Sequence, residues 1–298
     1  MRTWLVTGVT RGLGLSIARA AIEAGDRVIG TVRTSAPSSI ADHQNVHILK
    51  ADMADPEAIE AVVHEAFELA EKIDVIVNNA GFGLLGAVEE STDEELVTLF
   101  AVDFFAPVRI VRAALPYLRQ QGSGHIVNMS SVAGRAPSLG ASLYSAAKHA
   151  IEGFSASLAL EVAPFGIKVT AVAPGQFRTD FLETGRIRLS RNEDSTYSES
   201  VGQAMSTLAA VHHHQLGDPE LAAQAILNLT RAENPPLHLL LGSDALARVR
   251  HKLDAVLREM EAWEQYTLST DFKQTVPDAN THQVDSGTIT RRSLTSDE

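Results

Sequence analysis

The chain has no cysteine among its 298 residues. Disulfides, thiolate catalysis and cysteine-ligated zinc are excluded, which fits a reducing cytosol. Basic charge is in short supply: 25 Lys and Arg stand against 37 Asp and Glu, a net charge of −12. Binding along nucleic acid needs clustered Lys and Arg, so nucleic acid is excluded as a main partner. No apolar run approaches the ~20 residues of a membrane span. No basic amphipathic stretch suggests a membrane surface. The first strand-like run begins at Thr3, which leaves no room for a signal peptide, and the expected location is cytoplasmic.

What remains is an ordinary globular chain. Its hydrophobic content of 45% suffices for a sizeable core, and its length accommodates one α/β domain over 1–270. Short β-rich runs alternate with longer helical patterns. Strands are predicted at Thr3–Thr7, Arg27–Val32, Val46–Leu49, Asp74–Asn78, His125–Met129, Lys168–Val172 and Leu237–Leu241. Several are continuous apolar runs, as expected of parallel strands covered on both faces. Helices are predicted at Gly12–Ala24, after the Asp55-Pro56 pair, from the Thr92/Glu95 capping box toward Arg119, at Ser142–Val162 and at Ser243–Tyr266. The alternation implies a doubly wound Rossmann-type sheet with helices on both faces. Residues 176–215 are polar and broken and read as an irregular substrate lid, facing the 138–143 loop. Residues 271–298 carry no hydrophobic period and read as a disordered tail.

Four motifs could carry chemistry. Thr7-Gly8-Val9-Thr10-Arg11-Gly12-Leu13-Gly14 follows the first strand and opens a helix. Glycines there let backbone approach a pyrophosphate at the helix N-terminus. The spacing is G-x-x-x-G-x-G rather than G-x-G-x-x-G, and a plain tight turn is the competing reading. Asn78-Asn79-Ala80-Gly81 ends the fourth strand, where open α/β sheets bind ligands. Tyr144 and Lys148 stand one helical turn apart, so the ammonium can favour a phenolate. Ser131 lies thirteen residues before Tyr144, with Ser130 or Ser131 as a mere turn cap the alternative.

Together with Pro174-Gly175, these motifs occur in an order and at intervals that resemble the short-chain dehydrogenase/reductase family, over about Met1 to Gly242. The resemblance implies a seven-stranded sheet and hydride transfer with a nicotinamide cofactor. It implies Tyr144 as general acid or base, and Lys148 on the nicotinamide ribose. Ser131 would bond the substrate oxygen. Pro174, Gly175, Phe177 and Thr179 would border the nicotinamide. Asp52, with Met53 beside it, resembles the family's adenine-contacting acid, though it could equally cap the Asp55-Pro56 helix start. The resemblance also implies a homodimer or homotetramer.

One position departs from the pattern: Asp103 stands where the family has an asparagine. A carboxylate only accepts, so the donor half of the amide is lost. A nucleotide-binding regulator with little turnover is therefore the alternative to an enzyme, and a lyase or epimerase a third reading. At the end of the second strand Val32 occupies the place of an acid that would bind a ribose 2′-OH, and Arg33 follows it. Arg11 and Arg33 suit a 2′-phosphate, so NADP(H) is expected as cofactor. The substrate is expected to be a small-molecule carbonyl or alcohol. Phe177, Phe181 and Leu182 are candidates for its apolar wall, and Arg186 or Arg188 for an anionic contact. No metal is expected, because His212-His213-His214 share no helical face. Phe100, Phe104 and Phe105 are read as core or subunit interface.

Overall fold

The computed structural model describes residues 1–182, 187–189, 195–211 and 214–272. Arg186, Arg191, Asn192, Asp194, His212, His213 and positions 273–298 lie outside the described residues, as do the side chains of Leu182 and Arg188. The described strands are β1 (Thr3–Thr7), β2 (Arg27–Val32), β3 (Val46–Lys50), β4 (Val75–Asn78), β5 (Gly83–Leu85), β6 (Gly124–Met129), β7 (Ile167–Pro174), β8 (Ile187–Leu189) and β9 (His238–Leu241). The described helices are α1 (Gly12–Glu23), α2 (Ser38–Ala41), α3 (Pro56–Leu69), α4 (Asp93–Phe100), α5 (Ala106–Gln121), α6 (Ser142–Val162), α7 (Gln203–Ala210), α8 (Pro219–Arg231) and α9 (Ser243–Leu268).

Seven strands form one parallel sheet in the order β3-β2-β1-β4-β6-β7-β9, while β5 and β8 pair separately. The order reverses beside β1, which leaves a crevice at the carboxyl ends of β1 and β4. Alternate residues of each strand face opposite layers. Leu5, Ile29, Ile76 and Ile126 pack under α3 and α5 with Ile59, Val63, Ile110 and Leu118. Trp4, Val6, Val28 and Val127 pack on the other face against Ile17 and Ala21 of α1 and Ile226 of α8. Both faces are covered, which is why these strands read as unbroken apolar runs.

Helix starts follow their caps. Asp55 accepts from Glu57 N–H at 2.9 Å, and Thr92 and Glu95 close a reciprocal box at 3.2 and 3.0 Å. Asp218 caps α8 in the same way, accepting from Glu220 N–H at 2.8 Å. Asp218-Pro219 repeats the Asp55-Pro56 signature, yet no helix was expected there.

Two expectations need correction. The helix opened at Thr92 is not one regular run: α4 and α5 are separated by a π-helical turn, Ala101–Phe105. Such turns recur at functional sites, and this one carries Asp103 inward. Residues 176–215 are not wholly irregular either, because α7 lies within them. Met205 and Leu208 of α7 pack on Leu85 and Ala141, an apolar partner that a polar local sequence does not reveal.

The chain divides into a unit of Met1–Ala255, which holds the sheet, and a second beginning at Val256. In the second, α9 continues to Leu268 with Trp263 and Tyr266 ring centroids 4.8 Å apart. Among the described residues no helix is long and apolar enough to cross a membrane.

His125 of β6 is buried, and its Nε2 lies 3.0 Å from Thr170 Oγ1, whose proton goes to Pro236 O at 2.8 Å. Nε2 must then be the donor, and the buried Nδ1 has no partner among the described residues. Burial first, then the positive charges of Lys168 and Arg2, lower its pKa from 6.5 to about 4. The unfolded chain therefore binds a proton that the folded one refuses between these values. This contribution is fully present above pH ~6.5 and is lost toward pH ~4, by about 3 kcal/mol at most. Thermal unfolding across that window should show a shallower acid decline for His125→Gln than for the parent; equal slopes would remove His125 from the account.

Candidate active site

A cleft of about 630 Å³ runs along the carboxyl ends of the strands. Gly8, Thr10, Arg11, Gly12, Leu13 and Gly14 line one side, with Asn79, Ala80 and Gly81 below them. Arg33, Asp52 and Met53 line one stretch of it; Asp103, Ser131, Tyr144 and Lys148 another. Pro174, Gly175, Phe177 and Thr179 complete the wall. The structure thus brings the residues singled out in the sequence to one surface.

The glycine loop is fastened to β4. Asn79 Nδ2 donates to Thr7 O at 2.8 Å and to Gly8 O at 3.2 Å. Thr7 Oγ1 accepts from the N–H groups of Asn79 and Ala80 at 2.9 and 3.0 Å. The N-N-A-G segment therefore shapes the loop. Gly8 has φ +73°, and a Cβ on Gly14 would collide with Gly8 O and the Asn79 amide. Helix α1 begins at this loop without a side-chain cap or an acidic residue in its first turn. Its N-terminal N–H groups remain available to an anion. These features, with Arg11 and Arg33, fit the phosphates of a dinucleotide. Asp52 Oδ1 accepts from Ala54 N–H at 2.9 Å, so it caps the turn before α3 while lining the cleft.

The cluster of Asp103, Ser131, Tyr144 and Lys148 is built from three directions. Helix α6 supplies Tyr144 and Lys148 one turn apart. The π-helical turn supplies Asp103, and the end of β6 supplies Ser130 and Ser131. Lys148 Nζ lies 3.0 Å from Asp103 Oδ2 and donates to Met129 O at 3.1 Å. Asp103 Oδ1 accepts from Phe82 N–H at 3.0 Å. A Cβ on Gly81 would stand 2.9 Å from Asp103 Oδ2, so only glycine leaves room for that carboxylate. Ser131 caps a 3₁₀ turn, accepting from Ala133 N–H at 3.2 Å, and lines the cleft together with Tyr144. Its two readings are compatible. Ser130 instead donates to Lys148 O at 3.3 Å.

Burial raises the Tyr144 pKa above the ordinary phenol value; Lys148 and the Ser131 bond pull it down, while Asp103 adds to the rise. Burial disfavours the Lys148 ammonium, but the Asp103 carboxylate, Tyr144 and the bond to Asp103 leave its pKa raised. Burial raises the Asp103 pKa, against the charge of Lys148 and the Phe82 N–H. At 3.0 Å, Lys148 Nζ and Asp103 Oδ2 stand at ion-pair distance.

Several supporting residues escaped sequence reading. Asn78 Nδ2 donates to Asn128 Oδ1 at 2.7 Å, and Asn128 Nδ2 to Ser155 Oγ at 2.9 Å, a buried chain joining β4 and β6 to α6. Asp244 of α9 accepts from Gln176 N–H at 2.9 Å and fills the space beside Gly175. Gln215 is buried at the cleft wall with both side-chain amide atoms unpartnered among the described residues. Phe100 joins the cluster of Leu84, Leu99 and Ala147, whereas Phe105 is 45% exposed. Among the described residues no group of three His, Asp or Glu is placed to hold a metal.

A family model described as short chain dehydrogenase matches residues 2–188. Oxidoreductase BOA17 of Botryotinia fuckeliana is 34% identical over 275 residues, 90% of this chain and 99% of its own. A short-chain dehydrogenase from Streptomyces avermitilis superposes with a TM-score of 0.84 at 42% identity, covering 91% of this chain and all of its own. The closed form of serine dehydrogenase complexed with NADP+ has a TM-score of 0.67 at 26% identity, covering 80% and 94%.

Asn79→Ala should strand the Thr7 and Gly8 carbonyls and lower the unfolding free energy by about 1–3 kcal/mol in urea. An unchanged midpoint and slope would mean that the loop is held by other contacts.

Proposed function

Since the chain belongs to the short-chain dehydrogenase/reductase family, we propose that it interconverts a carbonyl and a secondary alcohol with NADP(H), Tyr144 serving as general acid and base. The observation that carries this reading is the convergence of Ser131, Tyr144 and Lys148 on the same cleft as the glycine loop. When bound, the nicotinamide dinucleotide supplies hydride to the carbonyl carbon or accepts it from the alcohol. Ser131 and Tyr144 hold the substrate oxygen between two hydroxyls. Tyr144 gives its phenolic proton to that oxygen during reduction and takes it back during oxidation. Lys148 spends two of its three N–H groups on Asp103 and Met129 O, which leaves one for a ligand hydroxyl. Phe181, 6.1 Å from the Tyr144 ring, and Phe82 offer an apolar wall to the body of the substrate.

The preference for the phosphorylated cofactor rests on charge. Val32 stands where an acid would bind a ribose 2′-OH, and Arg11 and Arg33 line the cleft nearby. A guanidinium binds phosphate oxygens in pairs. The regulator reading draws on Asp103 alone, and the presence of Ser131, Tyr144 and Lys148 in the sequence speaks against it.

Both readings meet in one assay. Absorbance at the reduced nicotinamide band is followed with NADPH and NADH over a panel of ketones. The proposal expects turnover, a kcat/KM advantage for NADPH, and a loss of about tenfold or more in Arg33→Ala with NADPH only. A preference for NADH would overturn the cofactor assignment. Tight NADPH binding with no oxidation over the panel would favour the regulator.

A further inference from the structure

The buried ion pair at the back of the cleft has a consequence for the direction of proton transfer. Lys148 Nζ lies 5.7 Å from the centre of the Tyr144 ring, so an isolated ammonium there would draw the phenol toward ionisation. The ammonium is not isolated. Asp103 Oδ2 lies 3.0 Å away, and Asp103 is 1% exposed. Two opposite charges this close act on a third group as a dipole, whose field falls off faster than that of a single charge. Nothing about the carboxylate is adaptable: Phe82 N–H fixes one oxygen at 3.0 Å, and the open face of Gly81 receives the other.

We propose that Asp103 is a positioning residue that holds the Lys148 ammonium and offsets its charge at Tyr144, so that Tyr144 remains a proton-donating phenol through neutral pH and the site favours carbonyl reduction, with alcohol oxidation confined to alkaline solution. The inference rests on the proposed role of Tyr144. The rise of the Tyr144 pKa, with burial as its first cause and Asp103 as a further one, agrees with it.

Other charges do not replace this pair. On α6, His149 Nδ1 lies 2.8 Å from Ser145 O, and Glu152 is engaged by Arg135 at 3.1 Å and His238 at 2.9 Å. Arg248 of α9 donates to Ala136 O at 2.7 Å. Asp180, Asp52, Arg11 and Arg33 line other parts of the cleft wall. Among the described residues, Lys148 and Asp103 are the charged groups that act on the Tyr144 titration.

The test is a phenolate absorbance titration of the full chain and of Asp103→Asn, each corrected by its Tyr144→Phe counterpart so that the other three tyrosines cancel. The parent should form the Tyr144 phenolate only above about pH 10, the ordinary phenol value. Asp103→Asn should move that ionisation toward acid by about one unit or more. The pH break in kcat/KM for alcohol oxidation should move with it, raising the rate on its acid side by about tenfold. A merely structural role would lower rates at every pH and leave the break in place. A variant break that stays put or moves toward alkali overturns the proposal. So does parental ionisation of Tyr144 below about pH 9, a result that needs no variant beyond Tyr144→Phe. The titration requires neither cofactor nor substrate. A protein that reduces no ketone yet shows the expected shift would fail the catalytic reading alone.

Discussion

A charged amine held out of water is the constraint from which the rest of the site follows. Lys148 is 5% exposed, and a lone ammonium in such a place would shed its proton. It stays charged because Asp103 and Met129 O receive it, at 3.0 and 3.1 Å. Asp103 in turn needs the π-helical turn that presents it, the Phe82 N–H that binds it and a glycine at position 81 that makes room. Buried ion pairs rarely repay their desolvation in stability. The proposed offset of charge at Tyr144 would be a functional reason to retain this one.

The sheet delivers these groups by topology. Strand ends at β1, β4, β6 and β7 border one crevice because all run in parallel and the order reverses beside β1. The Asn78–Asn128–Ser155 chain ties α6 to the strands beneath it, and α6 is the element that carries the tyrosine and the lysine. Asp244 secures the Gly175–Gln176 turn across the cleft. The chemistry is thus mounted on rigid elements and trimmed by short polar anchors.

Local features of this site were legible in the sequence. The glycine loop, the N-N-A-G turn and the Tyr144–Lys148 pair depend on neighbours within a turn of chain, and apolar runs mark the seven strands of the main sheet to within about two residues, the usual blur at element ends, while the short β5 and β8 carry no such run. Helix α8 carries a local signal as well, since Asp218-Pro219 is an N-cap signature. Other features were hidden for a physical reason. Asn128 meets Asn78 and Ser155, and Asp244 meets Gln176, only after folding. Helix α7 is polar enough to read as loop and packs through Met205 and Leu208 against residues far upstream. Asp103 reads as a lost amide in the sequence, and in the fold its carboxylate meets Lys148.

The central claim is that the proton reaching the substrate oxygen comes from Tyr144. Its most direct test compares the parent with Tyr144→Phe in two measurements on the same samples, NADPH binding by fluorescence and single-turnover oxidation of NADPH with a ketone substrate. The account predicts binding within about twofold of the parent and a loss of at least about a hundredfold in the chemical step. Undiminished turnover in Tyr144→Phe would contradict it.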